Sequence, residues 1–232
     1  MPQLTLATHQ SARRLILKAT LAALLLGTAL SSTGPALAQN KAVPKAPLSQ
    51  QDREDVTRVE QYLNGLTTLQ ARFAQAADKG LALQGDFYIK RPGKLRFQYD
   101  PPAHIQVVAD GRQVTYYDAD NDQISQVPTG LTVAKFLVSQ KISLSGDLSV
   151  TKVERDTNSL RLTMVQTKSP NQGYVVLSFA DKPLQLQRWS VIDSRGRDIT
   201  IVLTNLHTGV PLKDDLFTFI DPDPNRASRF RP

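Results

Sequence analysis

The chain has 232 residues, 41% of them apolar, with 28 basic against 21 acidic side chains and no cysteine. Three of the basic residues, Arg13, Arg14 and Lys18, lie in the first 38 residues, which hold no acid, so the remainder carries 25 against 21. That mild excess demands no nucleic acid partner, and the missing thiols exclude both a disulfide scaffold and a cysteine metal site, so a core must hold the fold together.

The N-terminal segment reads as a secretory signal peptide. Its basic residues precede an apolar run ending at Leu30, and Ala36-Leu37-Ala38 is an Ala-x-Ala cleavage site, predicting cleavage after Ala38. The run is short for a membrane span and is diluted by Gly27, Thr28, Ser31 and Ser32. The Arg13-Arg14 pair leaves a general or a twin-arginine export route open.

A flexible leader is expected over 39–48. Ser49 can cap a helix, with Asp52, Glu54 and Asp55 at its positive end. Val56, Val59, Leu63 and Leu66 then recur at helical spacing, which predicts an amphipathic helix ending near Gly65.

Strands dominate the remainder of the chain. Leu69, Ala71 and Phe73 alternate. Phe87 and Ile89 share a face, and Leu95, Phe97 and Tyr99 share another across Arg91-Pro92-Gly93. A two-residue loop would mix these faces. A three-residue loop pairs Ile89 with Leu95 and Phe87 with Phe97, and Gly93 can take the left-handed position such a loop needs. Ile105 and Val107, Val114 and Tyr116, then Ile124 and Val127 come next, around an Asp118 to Asp122 cluster that reads as a turn and lacks the spaced ligands of a calcium loop. Thr132 can cap a short helix from Val133 to Ser139, with Phe136, Leu137 and Val138 apolar. Leu160 to Met164, Val175 to Phe179 and Ile199 to Leu203 alternate again, separated by turn signals. Asn225 to Pro232 is a basic tail.

About ten short strands with two helices predict a mainly β fold: an antiparallel barrel or sandwich with one apolar face. The helices can cover only part of a curved sheet. The surplus apolar surface leaves two readings, a cavity for an apolar ligand or a core filled by helix and barrel side chains.

The ordered motifs Gly85-Asp86-Phe87-Tyr88-Ile89-Lys90-Arg91-Pro92, Asp110-Gly111-Arg112, Tyr116-Tyr117-Asp118, Asp122-Gln123 and Asp214-Asp215-Leu216-Phe217-Thr218-Phe219 resemble the LolA family of outer-membrane lipoprotein carriers over roughly Ser49 to Pro224. The resemblance implies an incomplete, half-open barrel with a helical lid in a carrier domain over 49–224. It implies a periplasmic chaperone that shelters acyl chains of outer-membrane-directed lipoproteins. These are received from an inner-membrane ATP-driven (ABC) exporter and passed to an outer-membrane acceptor. It gives Arg91 the role of lid latch, bonding to lid carbonyls, against the plainer reading of a solvated turn arginine. Phe87, Ile89, Leu95, Phe97 and Tyr99 would line the acyl-chain cavity; Leu95 stands where the family often has Phe. Val59, Tyr62, Leu63, Phe136 and Leu137 would form the lid underside. With no lipobox cysteine the chain is not itself expected to be acylated.

A lipid- or lipoprotein-sensing regulatory module of related fold is the alternative. An enzyme finds little support: outside the signal there are two histidines, His104 and His207, and three glutamates, with no nucleophile elbow, metal-binding helix or phosphate loop. No metal, cofactor or nucleic acid is expected, and a monomer is.

Overall fold

The computed structural model describes residues 47–77, 83–131 and 134–223. The signal peptide, most of the leader, the basic tail and the Thr132 cap fall outside them.

The first helix among the described residues, α1 (Gln50–Gly65), starts where its sequence dictates. Ser49 Oγ accepts the Asp52 N–H at 3.1 Å, and the Asp52 carboxylate accepts the Ser49 N–H at 2.9 Å, a complete capping box. Eleven strands come after it among the described residues: β1 (Thr68–Ala77), β2 (Leu83–Lys90), β3 (Lys94–Tyr99), β4 (Ile105–Asp110), β5 (Gln113–Asp118), β6 (Gln123–Pro128), β7 (Leu148–Asp156), β8 (Ser159–Gln166), β9 (Gly173–Asp181), β10 (Leu184–Asp193) and β11 (Asp198–Thr208). A short α2 (Ala134–Val138) lies between β6 and β7.

The strands form one antiparallel sheet in the order β6-β5-β4-β3-β2-β1-β11-β10-β9-β8-β7. β1 pairs with β11, but β6 and β7 do not pair, so the barrel stays open at that seam. The expected half-open barrel is the observed architecture.

The β2–β3 register is the one the alternation demanded: Ile89 faces Leu95, Phe87 faces Phe97, and Arg91-Pro92-Gly93 is the loop. Gly93 sits at φ +85°, and a Cβ there would meet the Gly111 backbone at 2.7 Å. Two strands, β7 and β10, escape the alternation because each carries a register shift, between Val150 and Lys152 and between Leu186 and Arg188. The extra residue in β10 lets both Leu186 and Trp189 face inward.

One core fills the concave side. Phe73 meets Phe97 and Tyr99 edge-on at 5.1 and 5.0 Å, and Trp189 packs on Phe87 at 5.5 Å. The convex side is not uniformly wet, as one-sided alternation implied. Residues 209–223 cross it as a strap over β3 and β4, with a 3-10 turn at Asp214–Phe217. Phe217 is buried there, and the Phe219 ring lies 5.5 Å from Tyr117. Lys90 Nζ donates to Leu212 O and to Asp214, both at 2.7 Å, and Lys94 reaches Asp214 at 2.9 Å. Arg96 donates to Leu216 O at 3.1 Å.

Candidate functional site

The β2–β3 hairpin meets both helices. Arg91 Nη1 donates to Leu63 O, in the last turn of α1, at 2.5 Å, and its Nε donates to Leu137 O, in the last turn of α2, at 3.0 Å. The turn adds two backbone bonds: Arg91 N–H to Thr67 O and Gly93 N–H to Val138 O, each 2.8 Å. Helix C-termini present unpaired carbonyls and the negative end of the peptide dipoles. A planar guanidinium can serve two of them at once. Burial alone pulls the Arg91 pKa down, to about 10, so the charge persists at neutral pH.

Beneath the hairpin, Phe87, Ile89, Leu95, Phe97 and Tyr99 are all buried on the concave wall. Above them, Val59 and Leu63 of α1 are buried in the same cluster. Tyr62 is half-buried: its ring stands edge-on to Phe179 at 5.9 Å and its oxygen accepts the Leu186 N–H at 3.0 Å. Phe136 and Leu137 are half-buried against the core, and Val138 of α2 is fully buried.

Wall and lid side chains meet directly. Among the described residues the lid side chains Val59, Leu63, Ile142 and Leu144 therefore stand against the wall, in the place where the apolar cavity is expected. The concavities that stand out lie elsewhere: a shallow groove on the outer face of α1, and a pocket of about 150 Å³ on the convex side between β4, β5 and the strap.

A third part of the lid has no counterpart in the local sequence pattern. The stretch 139–147 after α2 docks on α1. Asn64 Nδ2 donates to Ile142 O at 2.9 Å, and the Ile142 N–H donates to Asn64 Oδ1 at 2.8 Å. The Leu144 N–H donates to Glu60 Oε2 at 2.9 Å. Ile142 and Leu144 are 1% exposed. Two apolar residues in Lys141-Ile142-Ser143-Leu144-Ser145 are too short a pattern to identify a strand or helix, but the pair of fully apolar side chains in a polar loop was the available signal.

The other end of α1 is held by charge. Arg155, from β7, bonds Asp52 at 2.7 Å and Asp55 at 2.5 Å, and Arg58 bonds Asp181 at 2.7 Å. The Arg155 and Ser49 hydrogen bonds hold the Asp52 carboxyl below its usual range. A depressed carboxylate contributes stability that is present above its unfolded pKa and lost as pH falls through the folded value. Acidification below about pH 4 should therefore loosen the N-terminal half of α1 first. Exposed pairs contribute roughly 0.2–1 kcal/mol each, so amide hydrogen exchange there should accelerate severalfold while β2 and β3 stay protected. Equal acceleration in α1 and the sheet would contradict this.

Among the described residues no group of three or more His, Cys, Asp or Glu could hold a metal ion, and no helix is long and apolar enough to cross a membrane.

The family model "Outer membrane lipoprotein carrier protein LolA" matches residues 64–220, more than half of the chain. An outer-membrane lipoprotein carrier protein of Methylococcus capsulatus is 29% identical over 182 residues, spanning 75% of this chain and 87% of that protein. One from Neisseria meningitidis serogroup B is 25% identical, spanning 72% and 83%. Among solved structures, a LolA superfamily protein from Nitrosomonas europaea is 11% identical with a TM-score of 0.42, covering 71% of this chain and 97% of that one. The hairpin that carries Arg91, α2 and the strap motif at Asp214 lie inside the matched span, whereas α1 mostly precedes it, and the chain belongs to the LolA family of outer-membrane lipoprotein carrier proteins.

Proposed function

We propose that this chain is a periplasmic carrier of outer-membrane-directed lipoproteins. It shelters their acyl chains between sheet and lid, receives them from an inner-membrane ATP-driven exporter and passes them to an outer-membrane acceptor. The observation that carries this reading is the Arg91 guanidinium, which bridges Leu63 O and Leu137 O and so ties two helices down over an apolar wall. The Ala36-Leu37-Ala38 export site supports the compartment.

The physical demand is severe and the construction suits it. Each acyl methylene in water costs about 0.8 kcal/mol, so chains cannot cross an aqueous space bare. The closed form stores its own side chains where the cargo would lie. Loading then exchanges one apolar contact for another, with the lid lifted on chains that replace Val59, Leu63, Ile142 and Leu144 against the wall. The row of wall side chains nearest Arg91, Leu69, Ile89, Leu95, Ala109 and Val114, is aliphatic and offers no specific anchor, which keeps release possible.

An apolar fluorescent probe should bind saturably at one site per chain and be displaced by a fatty acid or a lipoprotein. Absence of saturable binding at any probe concentration would overturn the carrier reading.

A further inference from the structure

We infer that a buried polar layer, Gln75 with Tyr99 and Tyr116 with Asp118, sets how deep an acyl chain can run along the β1–β5 wall. This rests on the carrier reading above.

The inward residues of this wall lie in rows. The row nearest the latch is aliphatic: Leu69, Ile89, Leu95, Ala109 and Val114 face one another across the strands. The second row is Ala71, Phe87, Phe97 and Val107, ending in Tyr116. In the third, Phe73 and Gly85 are followed by Tyr99, and Ile105 by Asp118. The fourth begins with Gln75, opposite Leu83. The wall thus turns polar about 13 Å along β3 from Leu95, four residues at about 3.3 Å each.

These groups are buried and bonded to each other. Gln75 is 4% and Asp118 2% exposed. Tyr99 Oη donates to Gln75 Oε1 at 2.5 Å. Tyr116 Oη donates to Asp118 Oδ2 at 3.3 Å, and Asn121 Nδ2 donates to the same oxygen at 2.6 Å. Nothing in the latch needs them, and a core of this size could be apolar throughout. A methyl terminus pushed into the layer would separate bonded polar groups with no water to receive them, at the full desolvation cost of each. The neighbouring strand β11 places the apolar Ile201 beside Gln75, so the polar layer ends at β1 and a chain lying along Phe87 and Phe97 meets it first.

The test is a homologous series of saturated fatty acids displacing an apolar probe. On the wild-type chain, affinity should rise with length and then level off. In Gln75→Met/Tyr99→Phe, which keeps volume and removes both partners of the bond together, the levelling point should move to longer chains. One further row is about 7 Å of strand, and each methylene it covers should tighten Kd about fourfold, equivalent to ~0.8 kcal/mol at 1.4 kcal/mol per tenfold. Gln75→Leu/Tyr99→Phe is the substitute should the first pair fail to fold. The same levelling point in wild type and variant, or no levelling in wild type, overturns the depth limit while leaving the carrier reading intact. No binding of any fatty acid by wild type overturns both.

Discussion

Arg91→Leu should hold a loaded lipoprotein about a hundredfold more tightly than the wild-type chain and deliver it correspondingly poorly. Closing the lid buries Val59, Leu63, Ile142 and Leu144 against the wall, and each is worth roughly 1.5–3 kcal/mol. Those contacts dominate the closed state, yet they do not decide between empty and loaded, because cargo chains replace them in kind. The hydrogen bonds from Arg91 to Leu63 O and Leu137 O are different. They are made when the lid is down, and an acyl chain cannot restore them. Bonds from a charged donor contribute about 1.5–3 kcal/mol each. Losing two, with partial recovery by water at the rim, leaves about 3 kcal/mol favouring closure, which is the hundredfold. Loading should survive in Arg91→Leu because the apolar wall is untouched. Arg91→Lys should recover only part of the delivery, since one ammonium cannot copy a fork that reaches two helix ends. The measurement is transfer of bound lipoprotein to outer-membrane acceptors. Transfer by Arg91→Leu at the wild-type rate would reduce Arg91 to a turn residue.

Local chemistry was legible in the sequence; long-range placement was not. The Ser49 cap with Asp52, and the three-residue loop that sets Ile89 against Leu95, obey rules that act within a few residues. β7 and β10 were hidden because a bulge breaks the period that identifies a strand. Residues 139–147 were hidden for another reason. Ile142 and Leu144 are buried through Asn64 and Glu60, 78 and 84 residues away, and no local pattern encodes that pairing. The partners of Arg91 are backbone carbonyls, which every residue carries. Residue types alone therefore could not say what the arginine would bond; the family resemblance supplied that expectation. The strap shows the opposite case. Lys90, Lys94 and Arg96 lie on the side of the hairpin away from its apolar residues, where alternation predicts solvent, whereas Asp214 and the carbonyls of Leu212 and Leu216 bond them. That leaves the Arg91-Pro92-Gly93 turn gripped from behind on both of its stems.

Gly85→Ala should cost about 2–3 kcal/mol of stability and lower Tm by roughly 5–10 °C. Gly85 lies on the inward side of β2, between Phe73 on β1 and Tyr99 on β3. A Cβ there would stand 2.0 Å from Gln98 O and 2.7 Å from the Phe73 ring. The first obstacle is backbone and can yield only by spreading the β2–β3 pairing. The second is a ring held edge-on by Phe97 and Tyr99. Overpacking of a tight core costs about 1–3 kcal/mol, occasionally more, and two unyielding neighbours place this site at the upper end. Against that, a glycine in a strand gives away roughly 0.5–1 kcal/mol relative to alanine, which offsets part of the loss and does not reverse it. The missing side chain is thus what lets Phe73 lie flat enough to close the aromatic floor under the lid. Gly65→Ala provides the control, because nothing lies within 4 Å of where its Cβ would stand, and it should leave Tm unchanged or slightly raised. Thermal unfolding of both variants decides the matter. If Gly85→Ala melts within about a degree of wild type while Gly65→Ala does the same, the close approach of Gln98 and Phe73 to Gly85 does not shape the wall.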